Sequence, residues 1–65
     1  MNLKERRLRI GMNQSELAKR MNVTQGIVSQ WENQKIMPAS DKLPKLAEAL
    51  QCSIDELFED SGEEQ

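Results

Sequence analysis

The chain has no histidine and a single cysteine, Cys52. That excludes a disulfide framework and leaves no recognisable ligand set for zinc. Without a histidine partner, Cys52 sits among apolar residues with no visible base. The three glycines do not form a phosphate-cradling loop, so neither an enzyme, a cofactor nor a small-molecule substrate is expected. No apolar run reaches membrane-spanning length, and no signal-peptide pattern opens the chain. The expectation is a cytoplasmic protein with no membrane partner, in which Cys52 is a small buried apolar residue in a reducing compartment. The 65 residues make one domain, near the lower limit for a core without staples.

Positive charge is missing from the last third. All nine Lys and Arg lie in residues 1–45 against four acids, a net charge of +5, whereas residues 46–65 hold seven acids and no base. The net charge of −2 therefore hides a basic region, which screening over roughly 8–10 Å lets act apart from an acidic end.

What is present centres on Gln14–Asn33. Two short helices are expected, Gln14–Met21 and Gln25–Asn33, with a corner at Asn22-Val23. Asn13 caps the first in an Asn13-Gln14-Ser15-Glu16 capping box, and Thr24 caps the second. Asn22 is among the few non-glycine residues that tolerate positive φ. Two helices joined so tightly form a helix-turn-helix, whose second helix is suited to the DNA major groove. At 100° per residue that helix places Gln25, Gly26, Ser29, Gln30 and Asn33 on one arc and Ile27, Val28 and Trp31 on the other. An ordinary solvated face would carry Lys and Glu. Uncharged amides instead offer a donor and an acceptor together, which an adenine N6/N7 edge requires.

The first helix is expected from about Asn2 to Ile10, stopping at Gly11 in a left-handed position. Leu3, Arg7 and Ile10 share a face. On periodicity, Arg7 either pairs with an acid, Glu32 being the candidate, or joins Lys4, Arg6 and Arg9 as a phosphate-seeking base. Leu8 has no burial partner. After Asn33 a loop, Gln34–Ala39, places Lys35 near a phosphate. Helix four is expected from Ser40 or Asp41 to Leu50, burying Leu43, Leu46, Ala47 and Leu50, with Pro44 distorting or delaying its start. A second capping box, Ser53-Ile54-Asp55-Glu56, opens a short helix carrying Ile54, Leu57 and Phe58. Residues 1–58 thus form the domain, all-α, and 59–65 an acidic tail without an apolar anchor, expected to be disordered.

These residues resemble the Cro/cI-type (Xre) helix-turn-helix family. The resemblance rests on Leu3-Lys4-x-x-Arg7, Gly11-Met12-Asn13-Gln14-x-Glu16-Leu17-Ala18, Val23-Thr24-Gln25, Val28-Ser29-Gln30-Trp31-Glu32-Asn33, Pro38, and Leu46-Ala47-x-Ala49-Leu50-x-x-Ser53-Ile54-Asp55-Glu56-Leu57-Phe58. It implies a compact five-helix bundle that binds a palindromic double-stranded DNA operator as a homodimer. By similarity to lambdoid phage repressors, Gln25 and Gln30 read bases, with Gly26 and Ser29 on the same surface. By the same similarity Gln14, Asn33 and Lys35 meet the phosphate backbone and Arg7 pairs with Glu32; Thr24, at the start of the second helix, is a further phosphate-binding candidate. Three departures stand out. Gly26 replaces a reading side chain, leaving Ile27 between core packing and a thymine methyl, and Gln34 and Asn22 stand where glycine is common.

The functional expectation is a sequence-specific transcription regulator, a repressor of bacterial or phage type, cytoplasmic and nucleoid-associated. The alternative is an antitoxin-like or adaptor protein whose fold grips a protein partner. Ile36, Met37, Cys52 and Ile54 are apolar residues that either form the dimer interface or complete the monomer core.

Overall fold

A computed structural model describes residues 1–58, and the tail expected over 59–65 lies outside the described residues. Its regular structure is entirely helical: α1 (Leu3–Arg9), α2 (Gln14–Met21), α3 (Gln25–Glu32), a 3₁₀ turn (Ser40–Lys42), α4 (Leu43–Ala49) and α5 (Ile54–Leu57). Helix α2 packs on α3 and α4, α3 also meets α1, and α4 meets α5. Leu3, Leu17, Val28, Leu46, Leu50 and Leu57 are fully buried, with Trp31 and Met21 nearly so. At about 1.5–3 kcal/mol for each large apolar side chain removed from water, this cluster is the main favourable contribution to the fold.

Helix starts follow local chemistry. Asn13 Oδ1 accepts from the Glu16 N–H (2.8 Å) while Glu16 Oε1 accepts from the Asn13 N–H (2.9 Å). Ser53 and Glu56 repeat the arrangement at α5. The Ser53 N–H holds the Glu56 carboxyl below its ordinary pKa, burial opposing and Arg6 assisting, so this contribution fades as pH falls through the carboxylate range. Thr24 Oγ1 accepts from the Ile27 N–H at 3.2 Å.

Helix ends share one device. Past α1, α2, α3 and α4 the chain steps into the left-handed region at Gly11 (φ 72), Asn22 (φ 60), Gln34 (φ 62) and Gln51 (φ 58). At each corner two backbone N–H groups turn back onto the last carbonyls, as in Gln34 to Trp31 (3.2 Å) and Lys35 to Gln30 (2.9 Å). This is the Schellman closure. Glycine and asparagine accept this conformation readily, whereas Gln34 and Gln51 adopt it at a steric cost.

Several boundaries differ from expectation. Helix α1 excludes Asn2, whose N–H donates to the Leu57 carbonyl (2.9 Å) and whose side-chain amide donates to the Glu56 carbonyl (3.0 Å), clasping the two ends of the domain together. Ile10 (φ −101, ψ 11) and Asn33 (φ −87, ψ 3) are caps rather than helical residues. Helix four starts at Leu43, not at Ser40 or Asp41, and Leu50 is its cap. An α-helix from Ser40 would need an N–H at position 44, which Pro44 lacks. The Leu43 N–H takes the Ser40 carbonyl instead, tightening that turn to 3₁₀. In α5 only Leu57 is buried; Ile54 and Phe58 are 38% and 45% exposed. Cys52 is half-buried and packs on the core. Burial pushes its thiol above the ordinary pKa, Arg6 opposing and Glu56 assisting, which keeps it protonated and unreactive near neutral pH.

Replacing Gln51, remote from α3, by glycine should relieve left-handed strain at that corner. Gln51→Gly is expected to raise unfolding free energy by about 0.5–1 kcal/mol, read as a shift in the urea midpoint. An unchanged or lower midpoint would contradict the strain.

Candidate nucleic-acid interface

Helix α3 presents a dry back and a wet front. Val28 and Trp31 are buried, Ile27 packs partly against the core, and Gln25, Gly26, Gln30 and Asn33 are exposed. Ser29 is half-buried, and its Oγ accepts from Asn33 Nδ2 at 3.4 Å. A Cβ built on Gly26 would meet nothing nearer than Thr24 Oγ1 at 3.8 Å. Packing therefore does not require glycine there, and alanine would form helix better. The position leaves α3 with bare backbone at its exposed N-terminal end.

Behind this surface lies a buried ion pair. Arg7 Nε donates to Glu32 Oε2 at 2.6 Å and Arg7 Nη2 to Glu32 Oε1 at 3.1 Å, with the two side chains 7% and 3% exposed. Arg7 Nη1 also donates to the Met12 carbonyl at 2.8 Å, tying in the α1–α2 corner. Of the two readings open for Arg7, burial and this bidentate geometry match pairing. Gln14 Nε2 donates to Glu32 Oε1 (2.9 Å), and Gln14 Oε1 accepts from Gln25 Nε2 (3.2 Å). Ser15 Oγ then donates to Gln25 Oε1 at 3.1 Å. A continuous line of hydrogen bonds thus runs from α1, through the carboxylate, to the first exposed amide of α3.

The family model for Cro/cI-type helix-turn-helix proteins matches residues 3–57. The chain belongs to that family. No solved structure matches the chain significantly. Cro/cI-type helix-turn-helix proteins are DNA-binding transcription regulators and generally not enzymes, which agrees with the uncharged, outward-facing arc of α3. No helix among the described residues is long and apolar enough to cross a membrane.

Within this Cro/cI-type domain the corner after α3 breaks a pattern. The residues following the left-handed positions Gly11, Asn22 and Gln51 are Met12, Val23 and Cys52, all packed on the core. The equivalent residue after Gln34 is Lys35, which is exposed. An apolar contact usually accompanies the Schellman closure, so this corner carries a cation in place of packing. Gln34 keeps the turn that the family's common glycine would form, which leaves Lys35 beside the end of α3. In the sequence Ser15 shows nothing beyond its place in the capping box. Only the crossing of α2 over α3 reveals that its hydroxyl meets Gln25, ten residues away.

Removing Arg7 should strand the Glu32 carboxylate in the interior. Arg7→Met is expected to cost about 3–5 kcal/mol in chemical denaturation, and Arg7→Met/Glu32→Leu to recover most of it. An Arg7→Met chain that unfolds like the parent while losing DNA affinity would instead place the guanidinium at a phosphate.

Proposed function

We propose that the chain is a sequence-specific repressor that inserts α3 into the major groove of an operator. The observation carrying this reading is the exposed arc of Gln25, Gly26 and Gln30, flanked by the half-buried Ser29 and backed by a buried ion pair. Gln25 and Gln30 carry donor and acceptor together and suit base edges, while Gly26 admits close backbone approach. Gln14, Thr24, Asn33 and Lys35 border the arc and serve the phosphates. The second hydrogen on Gln14 Nε2 remains for that contact after its bond to Glu32, and the Thr24 hydroxyl can donate outward while accepting from Ile27. Cations supply most of the raw affinity, and the amides supply the discrimination.

One α3 touches few base pairs, so useful specificity favours a homodimer on a palindrome, with half-sites about 34 Å apart. Ile36, Met37 and Ile54 are 41%, 63% and 38% exposed, which supports using them between subunits rather than in the monomer core. Cys52 is half-buried beside Ile54 in a shallow depression with Pro44 and Ala47. On this reading the domain is residues 1–58, with 59–65 an acidic extension, acting in the cytoplasm at the nucleoid.

Selection from a random duplex pool, followed by salt titration, tests the proposal. A two-fold symmetric motif with half-sites one helical turn apart is expected. Gln30→Ala should cost about 1–3 kcal/mol at one base pair and relax preference there. Lys35→Ala should weaken all duplexes alike and reduce the salt slope by about one. Two variants behaving identically would contradict the division of labour, and no enrichment of any duplex at low salt would contradict DNA reading.

A further inference from the structure

Glu32 lies at the back of α3 and does not face outward, yet it is two hydrogen bonds from the exposed amide of Gln25. The direction of those bonds is not free. An ionised carboxylate only accepts, and arginine only donates. With Arg7 on both Glu32 oxygens, the group facing Oε1 from α2 must also be a donor, so Gln14 turns its NH₂ inward to the carboxylate. Its carbonyl then faces Gln25, which must answer with its own NH₂. Ser15 imposes no direction, since a hydroxyl can donate or accept as it rotates. Glu32 alone sets the polarity of the line.

We propose that Glu32 is a positioning residue for base recognition, fixing through Gln14 which end of the Gln25 amide faces inward. The proposal rests on the assignment of Gln25 as a base reader. In this arrangement Gln25 keeps one N–H and one carbonyl lone pair for the groove, in a fixed order. Adenine presents its N7 acceptor beside its N6 donor, and a glutamine matches that edge in one amide orientation only. Reversing Gln25 would set its carbonyl against that of Gln14. Reversing both would set the Gln14 carbonyl against the Glu32 carboxylate. An amide free to turn adapts to more than one base edge, whereas one held by a buried charge does not.

The test takes the best duplex selected by the parent chain, with every single base-pair replacement, and measures binding by anisotropy. Gln25→Ala should abolish discrimination at one pair, where the parent's preference is about tenfold. Gln14→Met, which leaves the Arg7–Glu32 pair in place, should lower discrimination at that same pair several-fold and leave the pair governed by Gln30 unchanged. Glu32→Gln replaces the acceptor-only group with one able to donate, and should have the same effect where circular dichroism shows it folded. If it does not fold, Arg7→Met/Glu32→Leu, which removes the carboxylate without stranding a charge, takes its place and should show the same loss. Gln14→Met weakening every duplex by one common factor, with preference at the Gln25 pair intact, overturns the proposal and leaves Gln14 a phosphate contact. So does a folded Glu32→Gln chain with full discrimination. If Gln25→Ala changes preference at no pair, base reading by Gln25 is wrong and the positioning role falls with it.

Discussion

The buried pairing of Arg7 with Glu32 is the constraint on which the arrangement of this domain depends. Two charges in the interior are tolerated only when their hydrogen-bonding capacity is nearly filled. Here three guanidinium nitrogens and both carboxylate oxygens are engaged, by partners from α1, the α1–α2 corner, α2 and α3. Packing of Val28 and Trp31 holds α3 against the core, but apolar contacts are non-directional. The ion pair adds direction: it sets the rotation of α3 about its axis, and so which arc faces outward. Its role is better read as geometric than as a net gain in stability, since a buried pair gives little over a well-packed apolar substitute.

The helix ends show a second use of few parts. One backbone closure is repeated at four corners, and three of its left-handed positions are held by Asn22, Gln34 and Gln51. Asparagine is suited to that conformation; glutamine is not. The two glutamine corners therefore hold strain that surrounding packing must offset. Three of the corners turn an apolar residue into the core behind them, and the one beside the exposed amide arc turns out a lysine. That single exception leaves a cation exposed at the end of α3.

Much of this was legible in the residues. Capping boxes, the Gly11 stop, the left-handed Asn22 and the two faces of α3 follow from local rules that act over a few residues. Pro44 signalled a disturbed helix start, though not that Ser40–Lys42 would become a separate 3₁₀ turn, which depends on where the missing N–H falls. Gln51 gave no sign of positive φ, and Gln34 only through the glycine common at its position in the family; nothing in a glutamine favours that conformation, and closure of the preceding helix forces it. The Ser15–Gln25 contact and the full partnership around Glu32 were likewise hidden, since both arise from tertiary crossing. Periodicity left Arg7 between two roles; the family resemblance implies the pair with Glu32, and burial with bidentate geometry separates the two readings.

The central claim is that the amide-bearing front of α3 is the surface that meets DNA. The direct measurement is an NMR titration of the nitrogen-15-labelled chain with a selected duplex, following glutamine and asparagine side-chain amides beside the backbone. The account predicts that the Gln14, Gln25, Gln30 and Asn33 side chains and the backbone of Gly26 and Lys35 shift most. Shifts concentrated on α4 and α5, with the Gln25 and Gln30 amides unmoved, would contradict it.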